Sequence, residues 1–253
     1  MATEQPHAKP AGVDAHCHLD DPRFDADRAE VIERARQAGI GRVVVPSSDP
    51  RRWGAVRAVA ERFGSWFAVG VHPWFVDQPW TPAELTAASR GAHAIGETGL
   101  DYVSAQAGGE RRRQREALDV HLQLAADTDR PVVLHAVRAV PDVLDAVEGS
   151  GVRAQLHGAV RGDLARAARA GLYLSFGPDL ARSGSARRWI RELPRDRVLL
   201  ETDGPHRPLA TGAGEPADVA QLATLVAGLW TTDPSEVLAV TGANARRLFG
   251  EPP

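Results

Sequence analysis

The chain has 253 residues, 43% of them hydrophobic and 25% charged, with a formal net charge of −3. That is the balance of an ordinary soluble globular protein. It excludes a molecule that holds nucleic acid by overall charge, so a polyanion would need a local basic rim or bound cations. Cys17 is the single cysteine and Lys9 the single lysine, which excludes an internal disulfide and a cysteine-rich zinc site.

Residues 1–12 are polar, contain Pro6 and Pro10, and lack the apolar core of a signal peptide. No run approaches the roughly 20 apolar residues of a membrane span. The expectation is a monomeric cytoplasmic protein: a disordered tail over 1–12, one domain over 13–249, and a fraying tail over 250–253.

Apolar runs expected as strands fall at 13–19, 40–46, 66–72, 93–99, 131–136, 153–157, 172–176 and 197–203. They are rich in Val, Ile, Leu and Phe and bounded by Gly, Pro or Asp, as buried parallel strands should be. Helical spacing appears between them: over 28–38 before Gly39, a residue suited to stop a helix, and over 111–126, the longest segment. The stretch 217–249 reads as final helices packing under or across the sheet. Eight strand-then-helix units with short right-handed links fit a TIM-type (β/α)8 barrel, which typically takes roughly 250 residues. A doubly wound open sheet is the runner-up.

The acids and imidazoles concentrate at one end of these strands. His16 and His18, two apart, project to one side of the first strand. Glu97 lies near the end of the fourth, His135 ends the fifth, His157 the sixth and Asp203 the eighth. Barrel enzymes build their active sites at this C-terminal face. A lone histidine at a strand end is more often a hydrogen-bonded core residue than a ligand. Six such groups converging at one mouth would be costly to bury unless a metal satisfied them. Four imidazoles and two carboxylates suit two divalent ions, with Zn2+, Mn2+ and Mg2+ all compatible. Glu97 is the carboxylate placed to bridge two ions about 3.5–4 Å apart. A carboxylated lysine is excluded, because Lys9 lies in the tail.

Asp14-Ala-His-Cys-His18-Leu, Gly70-Val-His-Pro73, Ile95-Gly-Glu-Thr-Gly-Leu-Asp-Tyr102, Pro131-Val-Val-Leu-His135, Leu199-Leu-Glu-Thr-Asp203 and the run Asn244 to Phe249 resemble, in order, the motifs of the TatD family of metal-dependent deoxyribonucleases. The resemblance implies a TIM-barrel hydrolase with a binuclear site. One ion would be held by His16, His18, Glu97 and Asp203, the other by Glu97, His135 and His157. It implies hydrolysis of DNA, often as a 3′ to 5′ exonuclease, with Mg2+, Mn2+ or Zn2+. The chain departs from the family's pattern at Trp74 (a second histidine after His-Pro), at Val137 (an arginine), over 157–161, and at Gly204 and His206.

On this reading Asp203 orients the attacking water or takes its proton, and His72 contacts the scissile phosphate or protonates the leaving oxygen. Glu201 either orients a ligand histidine from behind or makes an internal polar contact. Trp74 is the candidate for stacking a terminal base, while Trp53 and Trp80 suit loop packing. Arg161 and Arg207 would meet phosphate at the rim. Arg111, Arg112, Arg113 and Arg115 start a helix near the mouth, where a solvated helix face is the commoner use. Cys17 should be a buried free thiol. His93 and His121 lie away from the mouth, His206 close to it, and His7 in the tail. The substrate expected is DNA, as single strands or ends. The alternatives are a metallohydrolase of the same fold cleaving an ester or amide such as D-aminoacyl-tRNA, and a partner-dependent non-catalytic component.

Overall fold

The structure is a computed structural model that describes residues 12–105, 107–209 and 212–250. The expected tails fall almost wholly outside the described residues; Gly12 belongs to the first strand and Gly250 follows the last helix.

Eight strands run in chain order: β1 Gly12–Asp14, β2 Ile40–Pro46, β3 Trp66–Val69, β4 Ala94–Asp101, β5 Val132–Val137, β6 Ala154–Leu156, β7 Tyr173–Phe176 and β8 Val198–Leu200. Each pairs in parallel with the next. The ring closes between β8 and β1 through Ala15 N–H to Leu200 O (2.9 Å), Asp203 N–H to His16 O (2.9 Å) and His18 N–H to Gly204 O (2.8 Å). Closure rules out the open doubly wound sheet and leaves no free sheet edge. The helices on the outside are α1 Arg28–Gln37, α2 Trp53–Phe63, α3 Pro82–Ala88, α4 Gly108–Asp127, α5 Val140–Ser150, α6 Leu164–Arg169, α7 Gly184–Glu192, α8 Val219–Trp230 and α9 Pro234–Phe249.

The strands are apolar on both faces because each face meets a different core. Inward side chains Val13, Val44, Trp66, Ala68, Ala94, Val133, Tyr173 and Leu199 fill the barrel, and Ala245, Leu248 and Phe249 of α9 close its N-terminal end. Trp66, at the start of β3, meets Phe249 with ring centroids 6.0 Å apart. Asn244 fastens α9 there, donating from Nδ2 to Arg195 O (2.8 Å) and Val198 O (2.9 Å). The larger cluster lies between strands and outer helices. With the N-terminal end plugged, the C-terminal end is the open one.

Boundaries differ from expectation in two ways. α4 begins three residues early, because Glu110 reaches back to the Ala107 amide (2.9 Å) and carries Gly108 and Gly109 into the first turn. β4 and β5 run past the expected 99 and 136 to Asp101 and Val137, while β1, β3, β6 and β8 stop short of the expected 19, 72, 157 and 203. Past those points the backbone leaves the ladder to turn polar side chains into the mouth.

His121 is a structural histidine. It is fully buried in α4, with Nε2 accepting the Val71 amide (2.9 Å) and Nδ1 against Ala117 O (2.7 Å). Burial lowers its pKa from 6.5 to about 4. Between those values the unfolded chain binds the proton and the folded one does not, so the contribution is intact above pH 6.5 and is lost as pH falls towards 4. Over that window wild type should lose roughly 3 kcal/mol more stability than His121→Gln, measured by urea denaturation. Equal losses in both proteins would refute this assignment.

Candidate metal centre

The mouth is assembled by close backbone approaches that only glycine permits. At Gly99 of β4, φ is +138° and a Cβ would lie 2.0 Å from His135 O. At Gly70, a Cβ would lie 2.4 Å from Gly96 Cα. These two positions bring β3, β4 and β5 together around Glu97. On the other side Asp14 locks β1 to β8, accepting the Thr202 hydroxyl (2.6 Å), the Thr202 amide (3.0 Å) and the His16 amide (3.2 Å). Asp203 then turns through a left-handed residue, φ +52°.

Glu97 sits at the centre, 2% exposed. Its two oxygens face different groups. Oε2 lies 3.5 Å from His16 Nε2 and 3.8 Å from His18 Nε2, and His18 Nε2 is 3.6 Å from Asp203 Oδ1. Oε1 lies 3.1 Å from His135 Nδ1 and 3.2 Å from His157 Nε2, which are 3.1 Å from each other. Donors sharing an ion at about 2.0–2.2 Å stand about 2.8–3.6 Å apart, so nearly every separation here suits a common ion. All six expected residues come together.

Not every donor is satisfied. Both nitrogens of fully buried His16, Nε2 of His135 and Nδ1 of His157 have no hydrogen-bond partner, a cost that a bound cation relieves at His16. Electrostatics agree. Burial acts to raise Glu97, but His72, His157, His16 and the hydrogen bond from His135 outweigh it and hold the carboxyl well below its ordinary range. Burial acts to lower His157, and Glu97 and Glu201 reverse it, placing its pKa well above normal. Such a cluster holds protons where a cation would displace them. The residues present therefore fit bound divalent metal, and three groupings, His16–His18–Asp203, His16–Glu97–His157 and His72–Glu97–His135, each bring three donor atoms close enough to share an ion.

His157 and His135 are each backed by a carboxylate. Glu201 Oε1 is 3.4 Å from His157 Nδ1 and accepts the Gly158 amide (2.8 Å). Burial acts to raise Glu201, and His157 outweighs it, lowering the pKa to about 2. Asp101 Oδ2 lies 3.6 Å from His135 Nε2 and accepts the Trp74 indole N–H (2.7 Å), while Oδ1 accepts the Val103 (2.8 Å) and Ser104 (2.9 Å) amides. Sequence reasoning gave Asp101 no role, although it follows Glu97 by four residues on one strand face.

His72 is buried beside this group, with Nε2 3.5 Å from Glu97 Oε1 and Nδ1 accepting the Trp74 amide (3.1 Å). Burial lowers its pKa to about 3. A neutral ring that accepts at Nδ1 carries its proton on Nε2, which turns a donor towards Glu97 at the mouth. Above the centre is a cavity of about 590 Å3 lined by His18, Asp20, Asp21, Arg52, His72, Trp74, Glu97, Asp101, Val137 and Arg207, among others. Arg207 also pairs with Asp179 and stands 3.6 Å from Asp203. His206 lines the cavity beside His18, and Arg52, which sequence reasoning overlooked, is held there by Asp20 (2.8 Å). Arg161 is exposed and is not among the described lining residues. Of the α4 arginines, Arg113 pairs with Asp77 (2.6 Å) and Arg115 with Asp142 (2.5 Å), while Arg111 lies over the Tyr102 ring. Trp53 and Trp80 bond Gly70 O and Val76 O, and Cys17 is a buried free thiol.

A closed (β/α)8 barrel whose open end gathers four imidazoles around a buried carboxylate belongs to the class of metal-dependent hydrolases. The family model for TatD-related DNases matches residues 13–250, and the chain belongs to that family. It is 34% identical to a Mycobacterium tuberculosis protein described as the metal-dependent hydrolase TatD, covering 94% of this chain and 97% of that one. It is 29% identical to human deoxyribonuclease TATDN3, covering 94% of each. Among solved structures, the TatD homologue YjjV of Escherichia coli superposes with a TM-score of 0.87 at 28% identity, over 96% of this chain and 99% of that one. The protein is thus a TatD-type metal-dependent hydrolase. Among the described residues no helix is long and apolar enough to cross a membrane.

Proposed function

We propose that the protein is a DNA phosphodiesterase of the 3′ to 5′ exonuclease type, acting in the cytoplasm as a monomer on single strands or ends, with two divalent ions (Mg2+, Mn2+ or Zn2+). His16, His18, Glu97 and Asp203 would hold one ion, and Glu97, His135 and His157 the other. The observation that carries this reading is Glu97, with each oxygen turned to a separate imidazole group. The acids of the outer lining are answered locally, Asp20 by Arg52, Asp21 by Arg23 and Asp49 by Arg51, so the negative charge left for bound cations lies at Glu97, Asp101 and Asp203, beside the imidazoles.

When bound, such a pair supplies a water of near-neutral pKa and charge stabilisation at phosphorus. Asp203 is the proton acceptor of this proposal, with Oδ1 at the mouth 3.6 Å from His18 Nε2. His72, through Nε2–H, would donate to a phosphoryl or leaving oxygen. Arg207 and Trp74 line the route inward. Val103, Ala136 and Val137 make one wall apolar, which favours a second reading: hydrolysis of an ester such as aminoacyl-tRNA.

Metal-stripped protein should leave end-labelled single-stranded DNA intact and shorten it stepwise from the 3′ end once Mg2+, Mn2+ or Zn2+ is restored. DNA untouched under every metal while a model ester is cleaved would replace the first reading with the second.

A further inference from the structure

Among the described residues three large apolar side chains are well exposed: Trp74 at 64%, Val103 at 49% and Leu225 at 39%. Trp74 and Val103 stand at one mouth, with Phe75, Ala136 and Val137. All five come from β3, β4 and β5 or the loops that leave them. The lining guanidiniums and the acids Asp20, Asp21 and Asp49 come from the segments after β8, β1 and β2. The cavity is therefore divided, with charge on one flank and an uncovered apolar shelf on the other. On that flank the lining carries no guanidinium, and such a shelf suits an uncharged flat ring better than a phosphate.

Building on the phosphodiesterase reading above, we propose that this shelf seats a nucleobase of the substrate and that Trp74 couples the seat to the metal centre: its indole face stacks on the base, and its N–H holds Asp101 as a positioning residue for His135. The 2.7 Å bond from Trp74 Nε1 to Asp101 Oδ2 anchors the indole edge of a side chain that is otherwise largely exposed. The same carboxylate shapes the turn that presents Val103, through the amides of Val103 and Ser104. Its Oδ2 also stands 3.6 Å behind His135 Nε2, a buried nitrogen with no hydrogen-bond partner, while His135 Nδ1 faces Glu97. A carboxylate in that place orients the ring and makes its inner nitrogen a better donor. Trp74 lies near both reacting-end histidines, its ring centroid 4.8 Å from His72 and 6.4 Å from His135. A base stacked there would be set in register with the centre rather than held at a remote site.

Three variants separate the two roles. Trp74→Phe keeps a stacking face and loses the N–H. Trp74→Ala loses both. Asp101→Asn keeps an acceptor oxygen for the Val103 and Ser104 amides and loses the charge behind His135. Mn2+ binding is followed by titration calorimetry. KM and kcat are measured for a dinucleotide and for its counterpart lacking the base beside the scissile bond. All three variants should weaken one Mn2+ binding step about tenfold or more. Only Trp74→Ala should also raise KM for the dinucleotide, by roughly tenfold, with little change for the abasic compound. Wild-type Mn2+ affinity in Trp74→Phe and Asp101→Asn would overturn the coupling. An equal KM change for both substrates would overturn the base seat. A wild-type protein that neither binds Mn2+ nor cleaves the dinucleotide would instead remove the phosphodiesterase reading beneath both.

Discussion

Glu97→Ala should reduce kcat/KM by roughly 10^4-fold while leaving the protein folded. The size follows from the number of partners one carboxylate serves. Its oxygens stand within 3.8 Å of His16, His18, His72, His135 and His157. Removing it takes away the anion shared by both groupings and leaves the imidazoles to repel each other once protonated. The fold survives because the barrel interior and the helix layer are separate apolar cores. Circular dichroism and steady-state kinetics check the two halves of this expectation. A variant within tenfold of wild type would show that Glu97 is not at the reacting centre.

Gly99→Ala should be the most damaging single methyl in the molecule, costing upwards of about 4 kcal/mol and most of the activity. The added carbon would sit 2.0 Å from His135 O and 2.9 Å from the His135 backbone N and C, at φ +138°, where an alanine is itself strained. None of these atoms is the end of a flexible side chain, so β4 and β5 must part, and His135 moves with β5. Gly91→Ala is the control. Its φ is +76° but no atom lies within 4 Å of the added carbon, so only the left-handed conformation is penalised, at about 1 kcal/mol. Urea midpoints for the two variants should differ accordingly. Similar midpoints would mean that β4 and β5 yield more readily than their spacing suggests.

All eight strands could be read in the sequence, because a parallel strand covered on both faces must be nearly continuous in Val, Ile, Leu and Phe. Their C-terminal limits could not. Where β8 stops depends on Asp203 adopting φ +52° and on Asp14 capturing Thr202, 188 residues away. The ligand candidates were visible because imidazoles and acids at strand ends have few other reasons to converge. Asp101 stayed hidden because its role comes from Trp74, which reaches it from another loop. The α4 arginines illustrate the opposite limit. A run of cations beside the mouth could meet phosphate or, more commonly, face solvent, and sequence does not show that Arg113 and Arg115 are answered by Asp77 and Asp142, 36 and 27 residues off. Asn244, quoted among the family motifs, proves to fasten α9 under the barrel.

Anomalous diffraction from crystals grown with Mn2+ tests the central claim most directly. Two peaks should flank Glu97, one among His16, His18 and Asp203, the other between His135 and His157, and both should vanish in Glu97→Ala. A single peak, or two peaks elsewhere with Glu97 bonded only to protonated histidines, would contradict the shared-carboxylate centre on which the proposed chemistry stands.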